Sequence, residues 1–226
     1  MDKEIVDVTK VYMADTSCLS DVSVFEKYYH EMPQFRREKV DRMKMQEDKI
    51  RGLAAGVLLQ KAYADFNKDG AAIFPDVLTG KNGKPYFVNS DIYFNLSHSG
   101  KKVMCALSTK EVGCDVEYKT KNSDKIAARF FAEEEIDYIN SVEEGRDLRF
   151  TTVWTLKESL LKASGCGITY PMNEFSVIEA NRIAKKITFA KDGLDYYLIN
   201  YPGGDGYGFS CASLVGNFSD IQIIQL

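Results

Sequence analysis

Two acids set two apart, Asp115 and Glu117 in Gly113-Cys114-Asp115-Val116-Glu117, are the first residues whose spacing suggests chemistry. On a strand, alternate side chains share a face, so both carboxylates project together, about 7 Å apart, with Cys114 and Val116 opposite. Such a pair can share a hard cation, and the same pattern also describes an edge strand with a wet polar face. Trp154 to Lys162 then reads as a helix in which Trp154, Glu158 and Lys162 recur every fourth residue and line one face. An acid four residues before a lysine is commonly a surface ion pair. Here it shares its face with the only tryptophan, which implies a partly buried setting. Glu158 could add a third carboxylate, with Lys162 placed to meet an anion. Oxygen donors of this kind suit magnesium, which completes its shell with water and substrate phosphates.

Phe94-Asn95-Leu96-Ser97-His98-Ser99-Gly100 reads as a strand running into a polar turn. Ser97 beside His98 is not a hydrolase pair: no G-x-S-x-G elbow is present, and neighbours on a strand point to opposite faces. His98 could donate to a phosphate or be satisfied by a loop carbonyl. Gly83-Lys84-Pro85 lacks the spacing of a phosphate-binding loop and signals a turn carrying a basic side chain. Pro202-Gly203-Gly204-Asp205-Gly206 reads as a hairpin loop. A basic run includes Arg36, Arg37, Lys39, Arg42, Lys44, Lys49 and Arg51, which on composition alone is a solvated helix face.

The elements that must position these residues follow from periodicity. Strands are expected over 4–13, 85–89, 92–96, 103–108 and 112–118, then over 175–179, 183–190, 194–201, 207–214 and 221–224. Helices are expected over 21–32 and 46–66, and over a block from 124 to 165 broken near Ala132 and Gly145. Gly52 and Gly56 inside the second helix each cost about 1 kcal/mol against alanine, so something approaches that helix or it packs tightly. The order strand, helices, strands occurs twice. It predicts an α+β chain of two similar subdomains, 1–108 and 109–226, in a pseudo-two-fold relation.

Taken in order, these segments resemble the Sfp-type 4′-phosphopantetheinyl transferases. The matching stretches are Gly83-Lys84-Pro85, Phe94 to Ser99, Gly113 to Glu117, Arg129-Phe130-Phe131, Trp154 to Lys162, Gly165 and Phe175-Ser176-Val177. The resemblance implies that fold and transfer of phosphopantetheine from coenzyme A to a serine of an apo acyl or peptidyl carrier protein. It implies Asp115, Glu117 and Glu158 as Mg²⁺ ligands, with Glu158 and Lys162 catalytic. It assigns Lys157 and Lys162 to the pyrophosphate and pantetheine side. Ser97 and His98, helped by Lys84, with Arg36 and Lys39, would meet the adenosine 3′-phosphate, and Arg51 would border the nucleotide. Gly52 stands where a small hydroxyl residue can touch the nucleotide. Phe130 and Phe131 are implied as carrier-docking candidates, at least one of them being core. Rival readings are another Mg²⁺-dependent phosphotransferase and a non-catalytic module that binds coenzyme A or carriers.

Bulk properties agree. With 226 residues, 45% hydrophobic and 27% charged, the chain reads as an ordinary globular protein. A net charge of −4 argues against nucleic acid or an anionic membrane as partner. No apolar run approaches a bilayer span, and the acidic N-terminus lacks a secretory core, so a cytoplasmic protein is expected; two halves that build a cleft at their own seam point to a monomer. Five cysteines without a C-x-x-C pair read as free thiols, and two histidines leave little for structural zinc.

Overall fold

The computed structural model describes residues 7–67, 73–119, 123–167 and 169–226. Strand β1 (Thr9–Asp15) leads into helices α1 (Val22–Glu31), α2 (Gln34–Asp41) and α3 (Gln46–Phe66). Short strands β2 (Val77–Thr79) and β3 (Pro85–Phe87) precede β4 (Tyr93–Ser99), β5 (Lys102–Ser108) and β6 (Val112–Tyr118). Helices α4 (Ser123–Phe130), α5 (Glu133–Asn140) and α6 (Arg146–Ser164) follow. The chain then returns to strands: β7 (Ile178–Glu179), β8 (Arg182–Ile183), β9 (Lys186–Phe189), β10 (Leu194–Tyr201), β11 (Tyr207–Ser213) and β12 (Phe218–Ile223). The α+β expectation holds. Residues 4–6 of the first expected strand lie outside the described residues.

Two four-stranded sheets carry the structure, ordered β12-β1-β5-β4 and β6-β11-β10-β9. Helix α3 packs on the first, burying Ala54, Leu58 and Ala62 against Tyr12, Phe94, Val103 and Leu107. Helix α6 packs on the second through Val153, Leu156 and Leu160, against Leu198 and Ala212. A third apolar layer joins the sheets, with Val11, Met104 and Ala106 from the first meeting Val112, Cys114, Val116 and Cys211 from the second. The last strand departs from a division at 108/109: β12 pairs in parallel with β1, so the C-terminal end completes the sheet of the first half.

Gly113 explains how α6 comes so close to β6. A Cβ there would lie 2.1 Å from the Ser159 carbonyl oxygen and 2.4 Å from the Ala163 nitrogen, both backbone atoms that cannot step aside. Only glycine lets the helix axis approach near enough for side chains of α6 to reach the acids of β6. Helix α6 ends at Gly165, whose φ of +68° is the left-handed turn that glycine adopts without a steric penalty. Inside α3, the Met43 thioether takes the place of the missing Cβ at Gly52, while a Cβ at Gly56 would sit in close contact with Met32 Sδ at 3.3 Å.

Candidate active site

β4 and β6 are edge strands of their respective sheets, and they meet without forming a shared ladder. Instead, side chains of β4 satisfy main-chain donors of β6. The Cys114 N–H donates to Asn95 Oδ1 (3.0 Å), the Val116 N–H to Ser97 Oγ (3.3 Å) and the Tyr118 N–H to Ser99 Oγ (3.1 Å). Edge N–H groups buried at such a seam would otherwise lack partners, so the alternation Asn95, Ser97, Ser99 acts as the stitching. The structure therefore extends β4 through Ser99, where local composition reads as a turn.

The acids sit on this seam. Asp115 is buried, and its Oδ1 accepts from Lys162 Nζ at 2.6 Å and from Ser97 Oγ at 2.7 Å. Its Oδ2 is buried and has no hydrogen-bond partner among the described residues. Glu117 Oε2 accepts from Ser99 Oγ at 2.7 Å. Burial raises the Glu117 pKa above the ordinary carboxylate value, and the Asp115 charge adds to this while the Ser99 hydrogen bond opposes it. Burial likewise raises Glu158, opposed by Lys162 and reinforced by Asp115 and Glu117. For Lys162, burial pulls the pKa down, but the charge and hydrogen bond of Asp115 outweigh it, and the net shift is upward. Lys162 is thus a firmly protonated cation among three acids that repel one another.

A second compartment lies beyond β4. His98 points to the opposite side of that strand from Ser97 and Ser99, into a pocket of about 290 Å³. Arg36 and Lys39 from α2 line it, with Met43, Gly52 and Leu96. Burial lowers the pKa of both Arg36 and Lys39, and Arg36 lowers Lys39 further, as expected of cations gathered without an anion. Burial also lowers His98, with the nearby Arg51 and Lys162 charges adding to the effect. Arg51 itself is held by Asp48 Oδ1 (2.6 Å) and reaches the Gly100 carbonyl at 3.4 Å. It acts on His98 through its charge.

Several expectations need correction. Lys157 does not face the acids. It is fully buried one position round the helix from Glu158, with its ammonium on both Glu135 oxygens (2.8 and 2.6 Å) and the Phe175 carbonyl (2.6 Å). Lys84 is held by Glu111 Oε2 at 2.5 Å and the Ala163 carbonyl at 2.8 Å, which fastens the end of α6 and leaves little of its charge for a ligand. Ser97 turns toward Asp115, away from the basic pocket. Phe131 is core, while Phe130 is partly buried, edge-on to Trp154 at 6.0 Å. The three acids do not form a ready-made coordination set: among the described residues, no three His, Cys, Asp or Glu side chains are gathered tightly enough to hold a metal ion. Sequence reasoning missed the roles of Asn95, Ser99 and Met43, although the polar alternation at 95, 97 and 99 was there to find.

A basic pocket and a carboxylate–lysine seam on two sides of one strand suit a protein that handles a ligand phosphorylated at two places. Residues 111–212 match the family model of the 4′-phosphopantetheinyl transferase superfamily. The matched stretch contains Asp115, Glu117, Glu158 and Lys162. The chain is 36% identical over 155 residues to the 4′-phosphopantetheinyl transferase gsp of Aneurinibacillus migulanus, covering 67% of this chain and 64% of that protein. It is 34% identical over 145 residues to the 4′-phosphopantetheinyl transferase Sfp of Bacillus subtilis (strain 168), covering 63% and 64%. With the 4′-phosphopantetheinyl transferase HetI of a Nostoc species it shares 40% identity over 94 residues, 38% of this chain and 40% of that protein. The chain thus spans 64%, just under two thirds, of the length of the first two relatives.

Proposed function

We propose that this chain is a 4′-phosphopantetheinyl transferase that moves the phosphopantetheine arm of coenzyme A onto a serine of an apo acyl or peptidyl carrier protein. The observation that carries this is the two-sided use of β4. Coenzyme A bears a phosphate on its ribose and a pyrophosphate some distance away. The Arg36–Lys39–His98 pocket supports a place for the first, and the Asp115–Lys162 seam for the second.

Magnesium fits the seam. Oδ2 of Asp115 is a buried oxygen without a partner among the described residues, and Asp115 and Glu117 both push the Glu158 pKa up, a repulsion that a cation relieves. Mg²⁺ characteristically takes one or two carboxylates and leaves the rest of its shell to water and substrate phosphates, so a pre-closed set of three acids is not required. Asp115, Glu117 and Glu158 would hold it, and when bound it would neutralise charge on the pyrophosphate.

The chain's own residues supply the remaining chemistry. The carrier serine oxygen forms a bond to the phosphorus on the pantetheine side as the bond to the bridging oxygen breaks. Glu158 takes the serine proton, a role in which binding Mg²⁺ would make it a weaker base. The Lys162 ammonium, held in place by Asp115, meets the charge that develops on the departing adenosine 3′,5′-bisphosphate. A pocket of about 190 Å³ lined by Glu117, Tyr118, Ile126 and Trp154 opens beside the acids and supports carrier docking there. Among the described residues no helix is long and apolar enough to cross a membrane. One copy supplies both compartments, and we assign a monomer working in the cytoplasm.

Incubation with Mg²⁺, coenzyme A and a panel of apo-carriers tests the proposal. The expected result is a phosphopantetheine mass gain on a carrier serine with release of adenosine 3′,5′-bisphosphate. Coenzyme A binding without mass gain on any carrier would leave only a binding module.

The nucleotide pocket makes its own prediction. His98 has a depressed pKa in the free protein, and a phosphate beside it raises that value, so binding takes up a proton. Coenzyme A should therefore bind more tightly as pH falls through the pKa of the complex, and its KM should rise between about pH 6 and 8. Calorimetry in two buffers of different ionisation enthalpy should show net proton uptake near pH 6.5, which His98→Ala removes. Uptake unchanged in that variant would take His98 out of the pocket's chemistry.

A further inference from the structure

The hydroxyl of Ser99 is committed in both directions. It accepts the Tyr118 N–H at 3.1 Å, which leaves its own proton to point at Glu117 Oε2, 2.7 Å away. Ser97 does the same one step along the seam, accepting from Val116 N–H and donating to Asp115 Oδ1. A hydroxyl whose lone pair is occupied by a main-chain donor cannot turn freely, so each serine transmits the rigidity of the β6 backbone to one carboxylate oxygen. The consequence differs between the two acids. Asp115 is held by two side-chain donors, Lys162 as well as Ser97, whereas among the described residues Ser99 is the one side-chain donor to Glu117, beside the main-chain N–H of Tyr118. Glutamate has one more rotatable bond than aspartate and is half-buried here, so without that bond it gains conformations that aspartate at 115 does not.

We propose that Ser99 is a positioning residue for a divalent-cation site: its hydroxyl pins Oε2 of Glu117 to the seam and thereby limits where the other carboxylate oxygen can lie beside Asp115. Ser99 touches neither substrate nor cation. It acts through Glu117, and it lies on the first half's sheet while its acid lies on the second's, so the seam itself sets the geometry of the cation site. This rests on the transferase reading only in taking Asp115 and Glu117 as the acids that face the cation.

The test uses an isosteric pair. Ser99→Thr and Ser99→Val are both β-branched and suited to a strand, and they differ in the hydroxyl alone. Mn²⁺ binding to the full chain, read from the free-ion electron paramagnetic resonance signal with and without coenzyme A, is compared for wild type, the two variants and Asp115→Asn. Thermal melts without metal accompany it. The expected result is near-wild-type Mn²⁺ affinity in Ser99→Thr and affinity weaker by about tenfold in Ser99→Val, with similar melting temperatures for the two. Coenzyme A affinity measured without metal should stay unchanged, because the Arg36–Lys39–His98 pocket is untouched. Equal Mn²⁺ affinity in both variants, with Asp115→Asn still impaired, would overturn the role of Ser99 and leave the cation site standing. Loss of affinity that follows loss of melting temperature in both variants would reduce Ser99 to a structural stitch and also overturn it. Wild-type protein whose Mn²⁺ binding is insensitive to Asp115→Asn would remove the cation site, and the proposal with it.

Discussion

Asp115→Asn should abolish phosphopantetheine transfer, by about a thousandfold or more in kcat, while the protein stays folded. The two halves of that expectation have separate causes. Asparagine preserves the shape of the side chain and an acceptor for Ser97, but it removes the negative charge that anchors Lys162 and that a cation would neutralise. Stability should change little, because the native carboxylate is itself a compromise. Its Oδ2 is buried without a partner, and leaving such a group unsatisfied costs roughly 1–3 kcal/mol, a penalty that the neutral amide reduces. The ion pair offsets this in wild type, and its sign with pH can be worked out. Lys162 has a raised pKa in the folded state, so its contribution is fully present below the unfolded lysine value of about 10.4 and is lost as pH rises through the raised one. The difference in stability between wild type and Asp115→Asn should therefore shift in alkaline solution and stay flat between about pH 6 and 9. Calorimetry should still detect coenzyme A binding without metal, since Arg36, Lys39 and His98 line a different pocket. Turnover at the wild-type rate in this variant would break the assignment of the seam as the reacting site.

How far the sequence revealed this site depends on whether a feature is local. Helix α3, 21 residues long, was legible because Ile50, Leu53, Ala54, Val57 and Leu58 recur at helical spacing within it. The breaks around α6 were legible because Gly145 and Gly165 mark them with left-handed turns. The face shared by Trp154, Glu158 and Lys162 follows from helical spacing, and the face shared by Asp115 and Glu117 from strand alternation. What was lost is non-local. Ser97-His98-Ser99-Gly100 has the composition of a turn, and only pairing with β5, from Tyr93 opposite Ser108 to Ser99 opposite Lys102, keeps it extended. That extension separates Ser97 and Ser99 from His98, so one tripeptide serves two compartments. The parallel pairing of β12 with β1 spans nearly the whole chain, and no periodicity announces it. The family resemblance assigned Lys84 and Lys157 to the ligand. Each instead finds its partner in an element distant in sequence.

Lys157 gives the sharpest contrast with Lys162, five residues further along the same helix. Lys157→Ala should cost about 3–5 kcal/mol of stability, because it strands the Glu135 carboxylate in an interior where both members of the pair are fully buried. The network it leaves is extensive. Glu135 Oε2 also accepts the Ala132 N–H at 2.9 Å, and Oε1 the Val177 N–H at 2.9 Å, so one carboxylate ties the start of α5 to the chain before β7. Lys157 joins both to α6 and lies 4.2 Å from the centre of the Phe175 ring. For a chain of this size the loss corresponds to a fall in melting temperature on the order of 10 °C. Burial raises the Glu135 pKa and lowers that of Lys157, so each charge is tolerated only because the other is present. Glu135→Gln combined with Lys157→Met should accordingly cost less than the sum of the single changes. Glutamine keeps an acceptor for one of the two main-chain donors, in place of Oε1 or Oε2 of the native carboxylate, and methionine fills the lysine stem without a charge. Denaturant titration of the four proteins measures that coupling. Activity separates the two lysines: at a temperature where both variants are folded, transfer per folded molecule should remain near wild type in Lys157→Met, while Lys162→Met should lose transfer. Loss of transfer without loss of stability in Lys157→Met would instead place that ammonium at the substrate, against the buried pair with Glu135.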